Sequence, residues 1–161
     1  MNVLEVIKEE HSKLEKELQE LEAIVNSEPV NYAGLIHVFN ELNEFWNGHE
    51  EKEEVVFDVL RGNGFKIPTK EINFEHGELS KLRGEIFEAV NSGKEDRIIG
   101  VLRTKGVKMV EKVRNHMEKE DWILLSTPWE QVEFLFPENA GFMIKFRDKT
   151  EKMREDFEFL V

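Results

Sequence analysis

The chain has 161 residues, 40% hydrophobic and 35% charged, with four prolines and no cysteine. This describes one soluble globular domain with a core, and it excludes disulfides, thiolate zinc sites, iron–sulfur clusters and cysteine nucleophiles. A formal net charge of −12 opposes binding to nucleic acid or to anionic membrane surfaces, both of which need clustered Lys and Arg.

The N-terminal stretch is acidic and amphipathic with no signal-peptide core, and no apolar run reaches transmembrane length. The expectation is a cytoplasmic protein without a membrane partner. A first helix is predicted over about Asn2–Asn26, its stripe Leu4, Ile7, His11, Leu14, Leu18, Leu21 and Val25 spaced by threes and fours. Ser27-Glu28-Pro29 breaks it. A second helix, about Asn31–Arg61, turns Leu35, Phe39, Leu42, Trp46, His49, Glu53, Val56 and Leu60 inward and ends at Gly62-Asn63-Gly64. The third, about Thr69–Val90, carries Ile72, His76, Leu79, Arg83 and Ile86 near one face and stops at Asn91-Ser92-Gly93. The fourth, about Lys94–Leu125, carries Ile98, Leu102, Met109, Val113, His116, Glu120 and Ile123.

Short turns between long helices imply antiparallel neighbours, so residues 1–125 read as an all-α, up-down-up-down four-helix bundle. Residues 126–161 read as a C-terminal helical extension. There Thr127-Pro128-Trp129-Glu130 resembles a capping box with Pro at the first helical position, starting a short helix to about Phe136. A fifth amphipathic helix with Phe142, Phe146, Met153, Phe157 and Leu160 on one stripe follows. It packs on the bundle or on a second subunit, making the protein a monomer or a homodimer through this segment.

Four of the five histidines fall into two matching halves: His11 with His49-x-x-x-Glu53, and His76 with His116-x-x-x-Glu120. His49 and Glu53 each recur 67 residues later, as His116 and Glu120. Counting from the helix ends at about 1.5 Å per residue puts all four histidines roughly 12–20 Å from the same end of the bundle. Residues four apart share a helix face, so each His–Glu pair can point inward together. One His-x-x-x-Glu is cheap in a chain with 34 acidic residues; one His per helix at common depth with two repeated Glu partners is not. Burying such groups without a metal would carry a heavy desolvation cost.

Six nitrogen and oxygen donors exceed a tetrahedral zinc site and suit two ions that share bridging carboxylates. The pattern resembles the hemerythrin-like, HHE cation-binding family over about residues 1–125. The resemblance implies a pair of iron ions, oxo- or hydroxo-bridged, with His11, His49, His76 and His116 as terminal ligands and Glu53 and Glu120 as bridges. Mn or Zn could fill the same donors. Oxygen carriers of the family have His-x-x-x-His on the third helix, where this chain has Ser80, and commonly Asp five residues after the fourth-helix His, where it offers Glu120 and Asp121. Four His and two Glu is closer to family members of the repair-of-iron-centres type and to an iron-sensing ubiquitin ligase subunit. The latter also uses a Glu directly after the second-helix His, so Glu50 is either a seventh ligand or a solvated residue.

His37 lies about 120° around the helix from His49 and reads as a surface residue. Glu75 is either solvated or a support for the site, and Ser80 either leaves a vacancy beside the metal or packs. The functional expectation is a non-haem di-iron protein binding dioxygen, peroxide or nitric oxide for sensing, storage or detoxification. Alternatives are a di-iron enzyme acting on peroxide or nitric oxide or donating iron for repair of iron centres, and a metal-dependent interaction module.

Overall fold

The computed structural model describes residues 3–132, most of them helical, with no strand among them. Helix α1 (Val3–Val25), α2 (Tyr32–Gly62) and α3 (Thr69–Asn91) match the periodicity within a residue or two. The fourth rod is α4 (Glu95–Val101), a π-helical segment (Leu102–Gly106) and α5 (Val107–Ser126) in series. Its backbone stays in the right-handed helical region at both joints. α1 packs against α2 and α5, and α3 packs against α4 and α5. The result is the all-α bundle that the short turns imply.

Local chemistry places the helix ends. The Asn31 side chain accepts the Gly34 amide at 3.0 Å, capping the start of α2. Gly64 (φ 84°) and Gly93 (φ 65°) take the left-handed conformation just beyond α2 and α3, where a side chain would be strained. Inside the fourth rod, Ile98, Leu102 and Gly106 are buried at intervals of four, wider than the α-helical repeat. A π turn absorbs that interval and keeps the three on one face.

The core falls into two apolar clusters. One contains Leu14, Leu18, Leu35, Trp46, Leu79, Ile86, Leu102, Met109 and Val113. The other contains Ile7, Val56, Phe57, Leu60, Ile72, Ile123 and Leu124. A layer of buried polar side chains, His11, His49, Glu53, His116 and Glu120, lies between them in sequence register on every helix that contributes. The hydrophobic clusters are the clamp that brings the four rods to a common depth, at about 25 cal/mol per Å² of apolar surface removed from water.

Beyond α5, where a short helix to about Phe136 is expected, the described residues form a single 3-10 turn, Trp129–Gln131, followed by extended Val132, and 133–136 lie outside them. The Thr127 hydroxyl donates back to the Ile123 carbonyl at 2.7 Å instead of capping forward, and the Trp129 indole donates to the Leu124 carbonyl at 2.8 Å. These bonds satisfy carbonyls at the end of α5. The fifth amphipathic helix expected from Phe142 to Leu160 lies outside the described residues. No helix among the described residues is long and apolar enough to cross a membrane.

Candidate metal centre

Each rod delivers one histidine to the polar layer, and α2 and α5 each add the carboxylate one turn further on. Two donor groups result: His11, His49, Glu53 and Glu120, and Glu53, His76, His116 and Glu120. The donor atoms within each group lie within 4.8 Å of one another. Glu53 and Glu120 belong to both groups. Their carboxylates stand between two pairs of imidazoles, the arrangement in which one carboxylate can bridge two ions.

The contacts inside the layer are short and converge. His116 Nε2 lies 2.5 Å from Glu120 Oε1, and His49 Nε2 stands against Glu53 in the same i, i+4 relation. His11 Nε2 is 3.5 Å from Glu53 and 3.4 Å from Glu120, while His76 Nε2 is 3.8 Å and 4.0 Å from the same two carboxylates. His76 Nε2 and His116 Nε2 are 2.8 Å apart. Two imidazole nitrogens on adjacent positions of one ion, each about 2.0–2.1 Å from it, would be separated by roughly 3 Å.

The outer nitrogens reveal the tautomers. His11 Nδ1 is 2.7 Å from Asp121, His49 Nδ1 is 2.8 Å from Glu10, and His116 Nδ1 is 2.7 Å from Glu75. An ionised carboxylate can only accept, so each Nδ1 carries the hydrogen, and in the neutral ring each Nε2 offers its lone pair inward. Lys52 in turn holds Glu10, and Lys119 holds Glu75 as well as Glu71. Carboxylate behind imidazole is the arrangement that orients metal-ligating histidines and raises their basicity.

Without metal the layer is electrostatically unsettled. Eight buried side-chain polar atoms lack a hydrogen-bond partner among the described residues, and six of them are His11 Nε2, His49 Nε2 and the four carboxylate oxygens of Glu53 and Glu120. Leaving a buried polar atom unpaired costs about 1–3 kcal/mol each. Cations that accept lone pairs from all six remove that cost, so the donors fit a pair of metal ions. Burial pushes the Glu53 carboxyl well up, and the charge of Glu120 adds to it. Burial also opposes ionisation of Glu120, but His11 and His116 outweigh it and hold that carboxyl below the usual range. One proton is in effect shared by the two carboxylates. Burial would lower His11 and His116, yet the carboxylates raise both to about 9.

The family model for the hemerythrin HHE cation-binding domain matches residues 2–127. The chain belongs to this family. No curated protein and no solved structure matches it significantly, so the family model carries the assignment. The match spans all four rods of the bundle, and with it the cation-binding character of the hemerythrin-like domain and its capacity for a His–Glu metal site.

The remaining sequence candidates fall elsewhere. Glu50 belongs to neither donor group; its carboxylate accepts from the Trp46 indole. Asp121 stands behind His11, outside the layer that contains Glu120. His37 is exposed, as its angle on the helix implies. Ser80 is exposed too, so it neither packs nor leaves a vacancy beside the metal positions. On α3 the buried neighbours of His76 are Ile72 and Leu79. Glu75 is the support for His116, not a solvated residue.

Sequence reasoning missed Glu10, Lys52 and Lys119. Their signal was present: Glu precedes His in Glu10-His11 and Glu75-His76, and Lys sits three after His in His49–Lys52 and His116–Lys119. The repeat is therefore Glu-His … His-x-x-Lys-Glu, with the outer supports duplicated along with the ligands.

Phe45 stacks on His49 (centroids 5.7 Å, 21°), and Trp46 lies 6.3 Å from His49 and 6.1 Å from His116. They form an apolar wall on one side of the layer. On another side a surface depression of about 490 Å³ opens over His11 and Asp121, with Glu15 and Arg114 on its rim. A depression of about 640 Å³ near Trp122 and Phe65 includes no residue of the metal layer.

Proposed function

We propose that the protein is a non-haem di-iron protein that binds dioxygen or a related small molecule, peroxide or nitric oxide, for sensing, storage or detoxification. The observation that carries this reading is the sharing of Glu53 and Glu120 between two pairs of inward-facing histidines. His11 and His49 would hold one ion, His76 and His116 the other, and the two glutamates would bridge them. A metal pair held there would supply redox capacity and Lewis acidity.

The chain's own residues set the conditions. Trp46 and Phe45 exclude water from one side of His49, and the two apolar clusters seal the layer above and below. Glu10, Glu75 and Asp121 hold the ring hydrogens of three histidines on Nδ1. The layer has four histidines where oxygen carriers add a fifth on the third helix, and the exposed Ser80 offers no substitute. This favours sensing or turnover over reversible transport. Turnover of peroxide or nitric oxide is the second reading. It is favoured by the His11–Asp121 pair, whose carboxylate is 36% exposed beneath an open depression and can exchange protons with water.

The test is to purify the protein with iron, determine metal per chain, and record absorption with and without oxygen. About two irons with a reversible oxygen-dependent band supports binding or sensing. Irreversible bleaching with consumption of peroxide supports turnover. A chain that retains no metal overturns the proposal.

A further inference from the structure

The two-fold symmetry of the site breaks at one histidine. Resting on the di-metal reading above, we propose that the metal positions are unequal and that the ion held by His76 and His116 is the exchangeable one. His11, His49 and His116 each donate Nδ1–H to a carboxylate at 2.7–2.8 Å. His76 does not. Its one hydrogen bond among the described residues is Nε2 to His116 Nε2, a contact between two ligating atoms that a bound ion replaces. With that contact replaced, no hydrogen bond among the described residues orients the ring of His76, which keeps its edge contact with the His116 ring at 4.6 Å.

Sequence symmetry points to the missing partner. Asp121 follows Glu120 and supports His11; the equivalent position after Glu53 is Glu54, which is exposed and takes no hydrogen bond among the described residues. His76 is also the most open of the four, its side chain 13% exposed against 7% for His11 and 1% for His49 and His116. Solvent and a competing chelator therefore reach this imidazole first. An unanchored ring must lose its rotational freedom on binding and is a weaker base than one backed by a carboxylate. Loss of such a partner typically lowers metal affinity 10–100-fold. Among the described residues, His76 is the one imidazole of the layer that stands without such a partner.

Glu10 and Glu75 become positioning residues of opposite sides. Glu10, fixed by Lys52, supports the His11–His49 position, and Glu75, fixed by Lys119, supports the other through His116. The experiment loads the full chain with cobalt(II), checks for two ions per chain, and follows their release to excess EDTA by the visible cobalt spectrum. Release is expected in two phases of equal amplitude, differing about 10–100-fold in rate. Glu75→Ala is expected to accelerate the fast phase only, with Glu75→Gln, whose amide oxygen still accepts, in between. Glu10→Ala is expected to accelerate the slow phase only. Helical content by circular dichroism checks that each variant is folded, and the two phases of the unmodified chain test the proposal without any variant. Two ions leaving in a single phase overturns the inequality while leaving the di-metal reading intact. A fast phase that responds to Glu10→Ala and not to Glu75→Ala reverses the assignment and overturns it as well. A chain that takes up no cobalt and no iron overturns the di-metal reading itself.

Discussion

Metal uptake should be strongly pH-dependent, because the empty layer stores protons on the atoms that the metal needs. The perturbation is a change of pH from 7 to 9 at constant ionic strength. Metal-free His11 and His116 are raised to about 9 by the carboxylates around them, so at pH 7 both are imidazolium. Each sits about two pH units below its titration point, and each unit corresponds to about 1.4 kcal/mol. Displacing these two histidine protons at pH 7 therefore costs about 5 kcal/mol, or roughly 10⁴ in overall affinity for the metal pair, with the carboxyl proton shared by Glu53 and Glu120 displaced in addition. The two histidines alone should make affinity rise by about a hundredfold per pH unit between 7 and 9, a contribution that flattens above that. Competition against a chelator of known pH dependence measures the slope, and titration in two buffers of different ionisation enthalpy counts the protons released. The metal-free fold should respond with the opposite sign. A folded-state value raised above the unfolded histidine value contributes stability that is fully present below about pH 6.5 and is lost as pH rises through about 9. Uptake that is flat between pH 7 and 9, with no proton release, would refute the charge assignment of the layer.

His49→Ala and His116→Ala should each remove at least one ion per chain, measured by metal analysis after gel filtration; unchanged metal content in both would end the metal reading. Ser80→His should leave metal stoichiometry and the absorption spectrum as they were, because position 80 faces solvent; a new ligand band would show that α3 rolls further than the structure indicates. Arg114 donates to Glu15 and Glu22 at 2.7–3.1 Å and ties α5 to α1. Arg114→Ala should therefore lower stability by about 1 kcal/mol and the melting temperature by roughly 2–4 °C, without changing metal content.

Much of the site was legible because a helix makes depth and direction countable. Spacing by threes and fours selects one face, the turns mark the ends, and four histidines at similar distances from one bundle end must share a layer. Glu53 and Glu120 followed from the same rule, each one turn beyond its histidine. The all-α bundle was legible for the related reason that long apolar stripes joined by short turns leave little other topology. At Thr127 the local signal misled. Its hydroxyl and the Trp129 indole found acceptors in the last turn of α5, and as far as Val132 a 3-10 turn stands where a capping box implies an α-helix.

What the sequence by itself determined is therefore the set of inward donors: four imidazoles and two carboxylates, two halves of one repeat. What only the tertiary structure decided is which acidic residue stands behind which ring. Glu10, Glu75 and Asp121 reach their histidines across helix boundaries, at sequence separations of 39, 41 and 110. In a chain with 34 acidic residues, the repeated Glu-His pair marks Glu10 and Glu75 without saying which ring each one supports. Their selection depends on how far each helix rolls about its own axis, and that angle is set by packing of the apolar clusters on either side of the layer. The same roll turns Ser80 outward and Ile72 inward, although both lie one turn from His76. Among the described residues it also leaves His76 alone of the four without a carboxylate on its ring, the asymmetry on which the proposed inequality of the two metal positions rests.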